Sequence, residues 1–209
     1  MKIPTQKYCM DLYDQYVVPP TIRNHCLSVR RVAVFLATKL KDCGISLDID
    51  IVDRLALLHD AFKMAAIKNV QPSKLHPRPF TKEELEVRDQ LREKYPGKYE
   101  GEIAYEILKE EYSEFAKLLL HATNPHNKDR CWEDSILHYC DYRTFKNTVV
   151  TLETRFEYFK TMYNGFTNWD IYLEYMKEEE NKIFSELQFK PEELKELVEA
   201  ETSIQLLEE

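Results

Sequence analysis

Apolar residues recur at intervals of three and four along nearly the whole chain, and this spacing constrains the fold more than any other feature. Between the Pro19-Pro20 pair and Gly44 the series runs Ile22, Val29, Val32, Ala33, Leu36 and Leu40. Such spacing places apolar side chains on one face of an α-helix. Glycine is scarce, with 4 residues in 209, which disfavours tight hairpins and glycine-rich phosphate loops. The sequence therefore predicts an all-α fold.

Capping and terminating residues divide the chain into a succession of predicted helices. Asp48 is placed to cap a strongly apolar helix, and Thr81 with Glu84 has the pattern of a capping box. We expect Thr21 to cap the second helix and Asn164-Gly165 to form a turn. The predicted helices cover 5–18, 21–44, 49–66, 81–95, 101–111, 113–121, 132–145, 146–163, 169–187 and the stretch from 191. We predict a main domain over 1–165 and an appended helical layer over 166–209.

Charge and cysteine usage exclude several classes of protein. The net charge is −8 with no basic tail or stripe, which argues against general nucleic-acid binding through phosphate contacts. The five cysteines are odd in number and form no CxxC pair, as in reduced intracellular proteins. The first residues lack the apolar segment of a signal peptide, and no apolar run is long enough to span a bilayer. We therefore expect a cytoplasmic protein without membrane association; the sequence leaves its oligomeric state open.

An apolar segment runs directly into His59 and Asp60, and this is the strongest local signal of chemistry. A histidine and an aspartate at the end of a buried helix are costly unless a partner satisfies them. A divalent metal ion would do so, because imidazole donates a lone pair and the carboxylate supplies charge. A hydrogen-bonded His–Asp pair, or an ordinary helix end, accounts for the same two residues without a metal.

Two further candidate ligands lie far from this pair in the sequence. His25 belongs to the predicted helix upstream, and Asp141 lies beside the apolar face of a predicted helix downstream. The alternatives are a capped or surface histidine for His25 and a salt bridge, to Arg143 or Arg155, for Asp141. Neither residue alone identifies a metal site.

The order of these residues, a His, then a His-Asp pair, then a distant Asp, resembles the HD superfamily of metal-dependent phosphohydrolases. The segment LLHDAFK is similar to the central motif of that family, NHCLSVRRVAVFLA to its first motif and ILHYCDYRTF to its last. The resemblance extends over residues 21–163. It implies an HD-domain helical bundle with additional C-terminal helices. It also makes His25, His59, Asp60 and Asp141 the ligands of a metal ion.

The resemblance further implies the chemistry. A mixed imidazole and carboxylate set suits Mn, Fe, Co, Ni or Zn, with Mg less favoured. The expected reaction is metal-dependent hydrolysis of a phosphoester, with a nucleotide or related small phosphate as substrate. Asp60 is the candidate to accept a proton from the attacking water. Lys63 is the candidate to bind the phosphate and offset its charge, because it follows His59 by four residues on the same predicted helical face; a solvated lysine is the alternative.

Other residues near the motifs are weaker candidates. Arg23 and Arg143 each flank a ligand motif and could bind the substrate phosphate, although surface ion pairs account for them equally. Glu100 or Glu102 could act as a general base, against the alternative of a solvated helix charge. His138 precedes Asp141 by three residues and could support it, although a core or surface histidine is the simpler interpretation.

A second metal ion would require additional histidines. His121 is the best placed for this, because it follows three consecutive leucines. The histidine that two-metal HD proteins carry before the middle helix is missing here, and Tyr99 or Glu100 fills its place. That departure disfavours a second ion and the di-iron HD-type oxygenases. A non-catalytic HD module that binds a nucleotide or a partner protein, and a purely structural helical protein, are the remaining alternatives.

Overall fold

The computed structural model describes residues 1–73, 75–163 and 168–201, and within them the chain is mostly helical, as predicted. The α-helices are α1 (Gln6–Gln15), α2 (Pro20–Asp42), α3 (Ile49–Leu58), α4 (Lys82–Lys94), α5 (Glu100–Leu108), α6 (Ser113–Ala122), α7 (Trp132–Arg143), α8 (Leu152–Met162), α9 (Trp169–Phe184) and α10 (Leu194–Ala200). Short 3₁₀ turns cover Lys63–Ala65 and Pro191–Glu193, and strands β1 (Thr144–Phe145) and β2 (Thr148–Val149) form a hairpin. The predicted turn at Asn164-Gly165 lies outside the described residues.

Three helices, α2, α3 and α7, form the centre of the fold and pack against one another pairwise. Their contacting faces carry fully buried aliphatic residues such as Val29, Leu36, Leu55 and Ile136. Each such side chain contributes about 1.5–3 kcal/mol through removal of its surface from water. A buried ion pair between Arg30 and Asp53 also joins α2 to α3. The relative position of these three helices is therefore strongly determined.

Most of the predicted helix boundaries agree with the structure. The Asp48 side chain accepts hydrogen bonds from the backbone at the start of α3, and Thr81 with Glu84 forms the predicted capping box. Gly44 ends α2 with a φ of +93°, which glycine adopts without strain. The prediction that Thr21 caps α2 is wrong. The helix begins at Pro20 without a side-chain cap, because proline already has the φ of a first helical residue.

Helix α3 ends at Leu58, eight residues before its predicted end at 66. The reason is a competition for backbone acceptors. The His59 ring takes the Ala56 carbonyl, at 2.8 Å from Nδ1, which a continuing helix would offer to the Asp60 amide. The next carbonyl, that of Leu57, accepts a hydrogen bond from the buried Tyr13 hydroxyl. The chain beyond Leu58 therefore tightens into turns and the 3₁₀ segment.

The predicted helix over 146–163 is wrong in its first part, where the chain forms the β1–β2 hairpin. Phe145 pairs with Thr148 across a two-residue turn. Lys146 and Asn147 in that turn have positive φ values of 47° and 64°, which a two-residue hairpin turn needs and an α-helix excludes. Thr151 then caps the shorter helix α8.

The C-terminal helices lie on the same helical core. Helix α9 packs against α7 and α8, and α10 contacts α2 and β2. Buried polar pairs hold this layer. Glu180 on α9 accepts hydrogen bonds from Tyr139 and Arg143 of α7, at 2.5 and 2.6 Å. Among the helices in the described ranges, none has the length and apolar character required to cross a bilayer.

Candidate metal centre

The packing of α2, α3 and α7 brings the four predicted ligands together. His25 lies near the start of α2, and Asp141 lies in the last turn of α7. His59 and Asp60 occupy the turn that follows α3. The early end of α3 therefore helps to form the centre, because the turn after Leu58 directs the His59 ring and the Asp60 carboxylate towards the other two helices.

The donor atoms of His25, His59 and Asp60 all lie within 4.8 Å of one another, and Asp141 lies close to both histidines. His25 Nε2 lies 2.9 Å from Asp141 Oδ1, 3.4 Å from His59 Nε2 and 3.9 Å from Asp60 Oδ2. His59 Nε2 lies 3.7 Å from Asp141 Oδ1. Because nitrogen and oxygen ligands sit about 2.0–2.2 Å from a transition metal, two of them can be at most about 4.3 Å apart. All four separations satisfy that limit.

The His59 ring is oriented for metal binding. A backbone carbonyl can only accept a hydrogen bond, so the contact to Ala56 places the ring proton on Nδ1. Nε2 of the neutral ring then carries a lone pair directed at the cluster, which is the arrangement that fixes a metal-binding histidine. The side chain is only 3% exposed, so water does not compensate that lone pair.

The electrostatics of the cluster favour a cation at its centre. Burial lowers the pKa of His59, but the Cys26 thiol and the carboxylates of Asp141 and Asp60 raise it well above its usual range. Burial raises the pKa of Asp141, but hydrogen bonds from His25 and His59 hold it well below its usual range. The site therefore stabilises positive charge, supplied by a proton or by a metal ion. The donor set fits a divalent transition metal.

Lys63 and Glu100 lie beside the four donors. The Lys63 ammonium contacts the Glu100 carboxylate and lies 3.4 Å from Asp60 Oδ1. Burial lowers the pKa of Lys63, but Asp60 and Glu100 raise it above its usual value, so the side chain stays charged. Lys63 comes here at the start of a 3₁₀ turn, so the predicted continuous helical face from His59 is wrong.

A cavity of about 190 Å³ opens onto this cluster. His59, Asp60, Lys63, Glu100 and Asp141 all line it. It provides space next to the donor atoms for water and for a small substrate group, with a carboxylate and an ammonium at its edge. Glu100 was expected as one of two possible bases, and the structure brings Glu100, rather than Glu102, to the cavity.

Close packing of α5 against the end of α6 positions Glu100. A Cβ atom at Gly101 would overlap the Thr123 hydroxyl, so this position needs glycine for a close approach of the two helices. The next residue, Glu102, completes a capping box by accepting from the Tyr99 amide at 3.1 Å. Glu102 therefore stabilises the start of α5, while Glu100 is left to face Lys63.

Three other predicted site residues have their polar groups engaged elsewhere. The Arg23 guanidinium binds the Val18 and Tyr13 carbonyls and Asp14, at 2.7 Å each. The Arg143 guanidinium binds Glu180 and the carbonyls of Val150 and Pro191. His121 pairs with the buried Asp134, which Arg130 also binds. None of the three lines the cavity at the metal centre.

His138 lines the cavity without touching a ligand. Its Nδ1 lies 2.6 Å from Glu179 and its Nε2 lies 2.7 Å from the Tyr172 hydroxyl. Both ring nitrogens are therefore satisfied by α9. His138 attaches the C-terminal layer to α7 one turn before Asp141, and this agrees with a core histidine rather than with direct support of the ligand.

Two residues that shape the centre could not be recognised from the sequence. Tyr13 on α1 donates its hydroxyl hydrogen to the Leu57 carbonyl, just before His59. Cys26 is fully buried next to His25 and contributes to the raised pKa of His59. Both lie on apolar helix faces, where a tyrosine or cysteine is ordinarily a packing residue. Spacing alone does not reveal such a role.

Comparisons with protein-family models, with curated proteins and with solved structures gave no match for this chain. The interpretation of the centre therefore depends on its own residues and their geometry.

Proposed function

We propose that this protein is a metal-dependent phosphohydrolase of the HD type, acting on a nucleotide or related small phosphate. The observation that carries the proposal is the group formed by His25, His59 and Asp60, whose donor atoms all lie within 4.8 Å of one another, with Asp141 at 2.9 and 3.7 Å from the two histidines. Lys63 beside this cluster supplies a positive charge for a phosphoryl oxygen. A divalent transition metal, when bound, supplies Lewis acidity and an activated water.

The side chains around the cavity have distinct roles in the proposed reaction. The Lys63 ammonium binds a phosphoryl oxygen and offsets the charge that develops there. Burial raises the pKa of Asp60, but the nearby Lys63 and His59 lower it below its usual value. Asp60 is therefore ionised and has a carboxylate that can accept a proton. Glu100, on the other side of Lys63, is the second carboxylate within reach of the cavity. Ala122, Pro125 and Leu137 form apolar parts of the wall.

Metal content tests the ligand assignment. We expect purified protein to carry Mn, Fe, Co, Ni or Zn, and the His59→Ala/Asp60→Ala double variant to lose it in elemental analysis. The matched control is His126→Ala/Asp129→Ala, which removes the same residue types from an exposed loop. Equal metal in the parent and the His59→Ala/Asp60→Ala variant would refute the assignment.

Catalysis is tested separately on the metal-loaded protein. Release of inorganic phosphate from 4-nitrophenyl phosphate and from nucleoside 5′-monophosphates is the expected activity. Retained metal with no turnover, but with thermal stabilisation by nucleotides, would instead indicate a non-catalytic binding module. Two iron ions per chain would indicate the oxygenase class, although His121, its best candidate for a second ion, is paired with Asp134.

A further inference from the structure

A larger cleft of about 550 Å³ lies directly outside the metal centre, and its far wall is not explained by the metal ligands. His25, Asp60, Lys63 and Asp141 line its inner end. The far wall is built by the β1–β2 hairpin and α8. The volume lies in the range of small-molecule sites.

The far wall holds a cation without an acidic partner. Arg155 on α8 lies among aromatic rings, with its guanidinium carbon 4.4 Å from the centre of Phe159 and 5.0 Å from that of Phe145. Its Nε atom is buried and makes no hydrogen bond, and no carboxylate pairs with it among the described residues. Stacked arginines with free donors are well suited to bind anions, because the guanidinium fork stays fixed and charged.

The three buried arginines of the described residues are each paired with a carboxylate, whereas the half-buried Arg155 and Arg31 each have an unpaired Nε. Arg30 binds Asp53, Arg130 binds Asp134 and Arg143 binds Glu180. Each of these pairs joins two structural elements or closes a turn. Arg155 differs because aromatic rings surround its guanidinium and, within the described residues, no carboxylate pairs with it.

Two further unsatisfied polar atoms line the same cleft. The hydroxyl groups of Thr144 and Tyr158 are buried and have no hydrogen-bond partner within the described ranges. Buried polar groups are nearly always paired, so several unpaired ones in one cleft leave donors and acceptors for water or a bound ligand. Lys146, exposed at the hairpin turn, adds a second positive charge to this wall.

Aromatic residues connect the two ends of the cleft. Tyr142 directly follows the candidate ligand Asp141 in the sequence. Its ring centre lies 5.7 Å from that of Phe159, and the Arg155 guanidinium lies over the Phe159 ring. The cleft therefore has a metal centre and Lys63 at one end, rings along its floor, and an unpaired guanidinium at the other. This order matches a ligand with an anionic group at each end and an apolar or planar part between them.

We propose that Arg155, with Lys146 and Tyr158, forms a second anion subsite, and that the substrate is a phosphoester whose organic part carries a second anionic group. The subsite itself stands on the cleft and its unpaired donors. The statement about the substrate rests on the proposed hydrolase function. The two parts are therefore tested by separate experiments.

The subsite is tested on metal-stripped protein, where the proposed reaction plays no part. Trp169 lines the cleft and stacks on Phe159, and Trp132→Phe leaves it as the one tryptophan of the chain. Titration of this variant with inorganic phosphate should change the Trp169 fluorescence. Arg155→Met should raise the phosphate Kd about tenfold or more, because a charge-assisted hydrogen bond is lost, and Arg155→Lys should raise it less.

Two variants make the titration decisive. Tyr158→Phe removes one hydroxyl and keeps the ring, so it should weaken phosphate binding about threefold without unfolding the protein. Lys160→Gln removes a positive charge from the exposed side of α8 and should leave the Kd unchanged. A fluorescence titration without saturation, or equal affinities in the parent, Arg155→Met and Tyr158→Phe proteins, would overturn the subsite.

The substrate statement is tested on metal-loaded protein with two nucleotides. Phosphate release from adenosine 3′,5′-bisphosphate should have a higher kcat/KM than release from adenosine 5′-monophosphate, and Arg155→Met should remove most of that preference. Equal kcat/KM values in the parent would overturn the two-anion substrate while leaving the hydrolase proposal intact. Absence of turnover with both would count against the proposed function and against this substrate, while the phosphate titration still decides the subsite.

Discussion

The two walls of the cleft differ in how their positions are determined. The inner wall carries the candidate ligands on α2, α3 and α7, which share a fully buried interface and the Arg30–Asp53 ion pair. The outer wall consists of a six-residue hairpin and helix α8, with a turn in left-handed conformation at Lys146 and Asn147. Its functional candidates are unpaired donors rather than converging ligands.

Under the proposed function, this difference would place rigidity and ligand preference in different parts of the molecule. A metal centre needs donor atoms placed within a few tenths of an ångström, and a packed three-helix core provides that. Recognition of the rest of a substrate tolerates a more adjustable wall, and surface hairpins provide it. Changes to the inner wall should therefore affect catalysis and stability strongly, and changes to the outer wall should affect substrate preference.

The largest expected effect is on catalysis at the inner wall. Asp141→Ala removes a carboxylate that lies within reach of both histidines, so the centre should bind metal poorly. We expect kcat/KM for nucleotide hydrolysis to fall about 10⁴-fold or more, because the metal supplies several kcal/mol of transition-state stabilisation. Steady-state phosphate release checks this. A loss as small as that from Arg155→Met would contradict the separation of the two walls.

The next effect concerns the stability of the inner wall. Asp53→Ala leaves the buried Arg30 guanidinium without its carboxylate, and we expect the free energy of unfolding in urea to fall by about 3–5 kcal/mol. The matched control is Asp50→Asn on the same helix. Its carboxylate is 72% exposed and pairs loosely with Arg54, so its loss should cost less than about 1 kcal/mol. Similar values for the two variants would contradict a structural role for the buried pair.

Metal binding should stabilise the protein through the inner wall alone. At a metal concentration 100 times its Kd, the folded state should gain about 2.7 kcal/mol, because the unfolded chain lacks the site. Thermal unfolding with and without metal measures this gain. Arg155→Met should show the same increase in Tm as the parent protein, whereas Asp141→Ala should show little. A reduced increase in the Arg155→Met variant would show that the two walls are coupled.

The smallest effect is expected in the hairpin turn. Asn147 has a φ of 64°, so Asn147→Val should lower the free energy of unfolding by about 1–2 kcal/mol, whereas Asn147→Gly should change it by less than about 0.5 kcal/mol. Urea titration distinguishes the two. Equal stabilities of the valine and glycine variants would mean that the turn does not need its left-handed conformation.

The sequence predicted the inner wall better than the outer one, for a physical reason. Helix α2 and helix α7 have buried apolar positions at helical spacing, and the motif order marked His25 and Asp141 on these helices and the His59–Asp60 pair after the apolar run of α3. Such a pattern can be recognised in a sequence because many residues contribute to it. The structure brings these four residues close to one another. Arg23 and Arg143, for which phosphate binding was predicted, do not line the cavity.

The outer wall could not be predicted in the same way. Its turn depends on two residues, Lys146 and Asn147, and neither is the glycine that marks most such turns. The β-branched run from Thr148 to Thr151 was a usable signal for a strand. Arg155 was considered only as a salt-bridge partner for Asp141, because its stacking and its unpaired donors depend on tertiary structure.

The Tyr13 hydroxyl connects the first helix to the candidate ligands His59 and Asp60, which lie far from it in sequence. By holding the Leu57 carbonyl, Tyr13 helps to end α3 where His59 and Asp60 can turn inwards. Removal of α1, or a ligand that draws it away from the core, would allow the third helix to lengthen and rotate both donors. In the proposed metal centre, the N-terminal segment would in this way control how tightly an ion is held without contacting the ion itself.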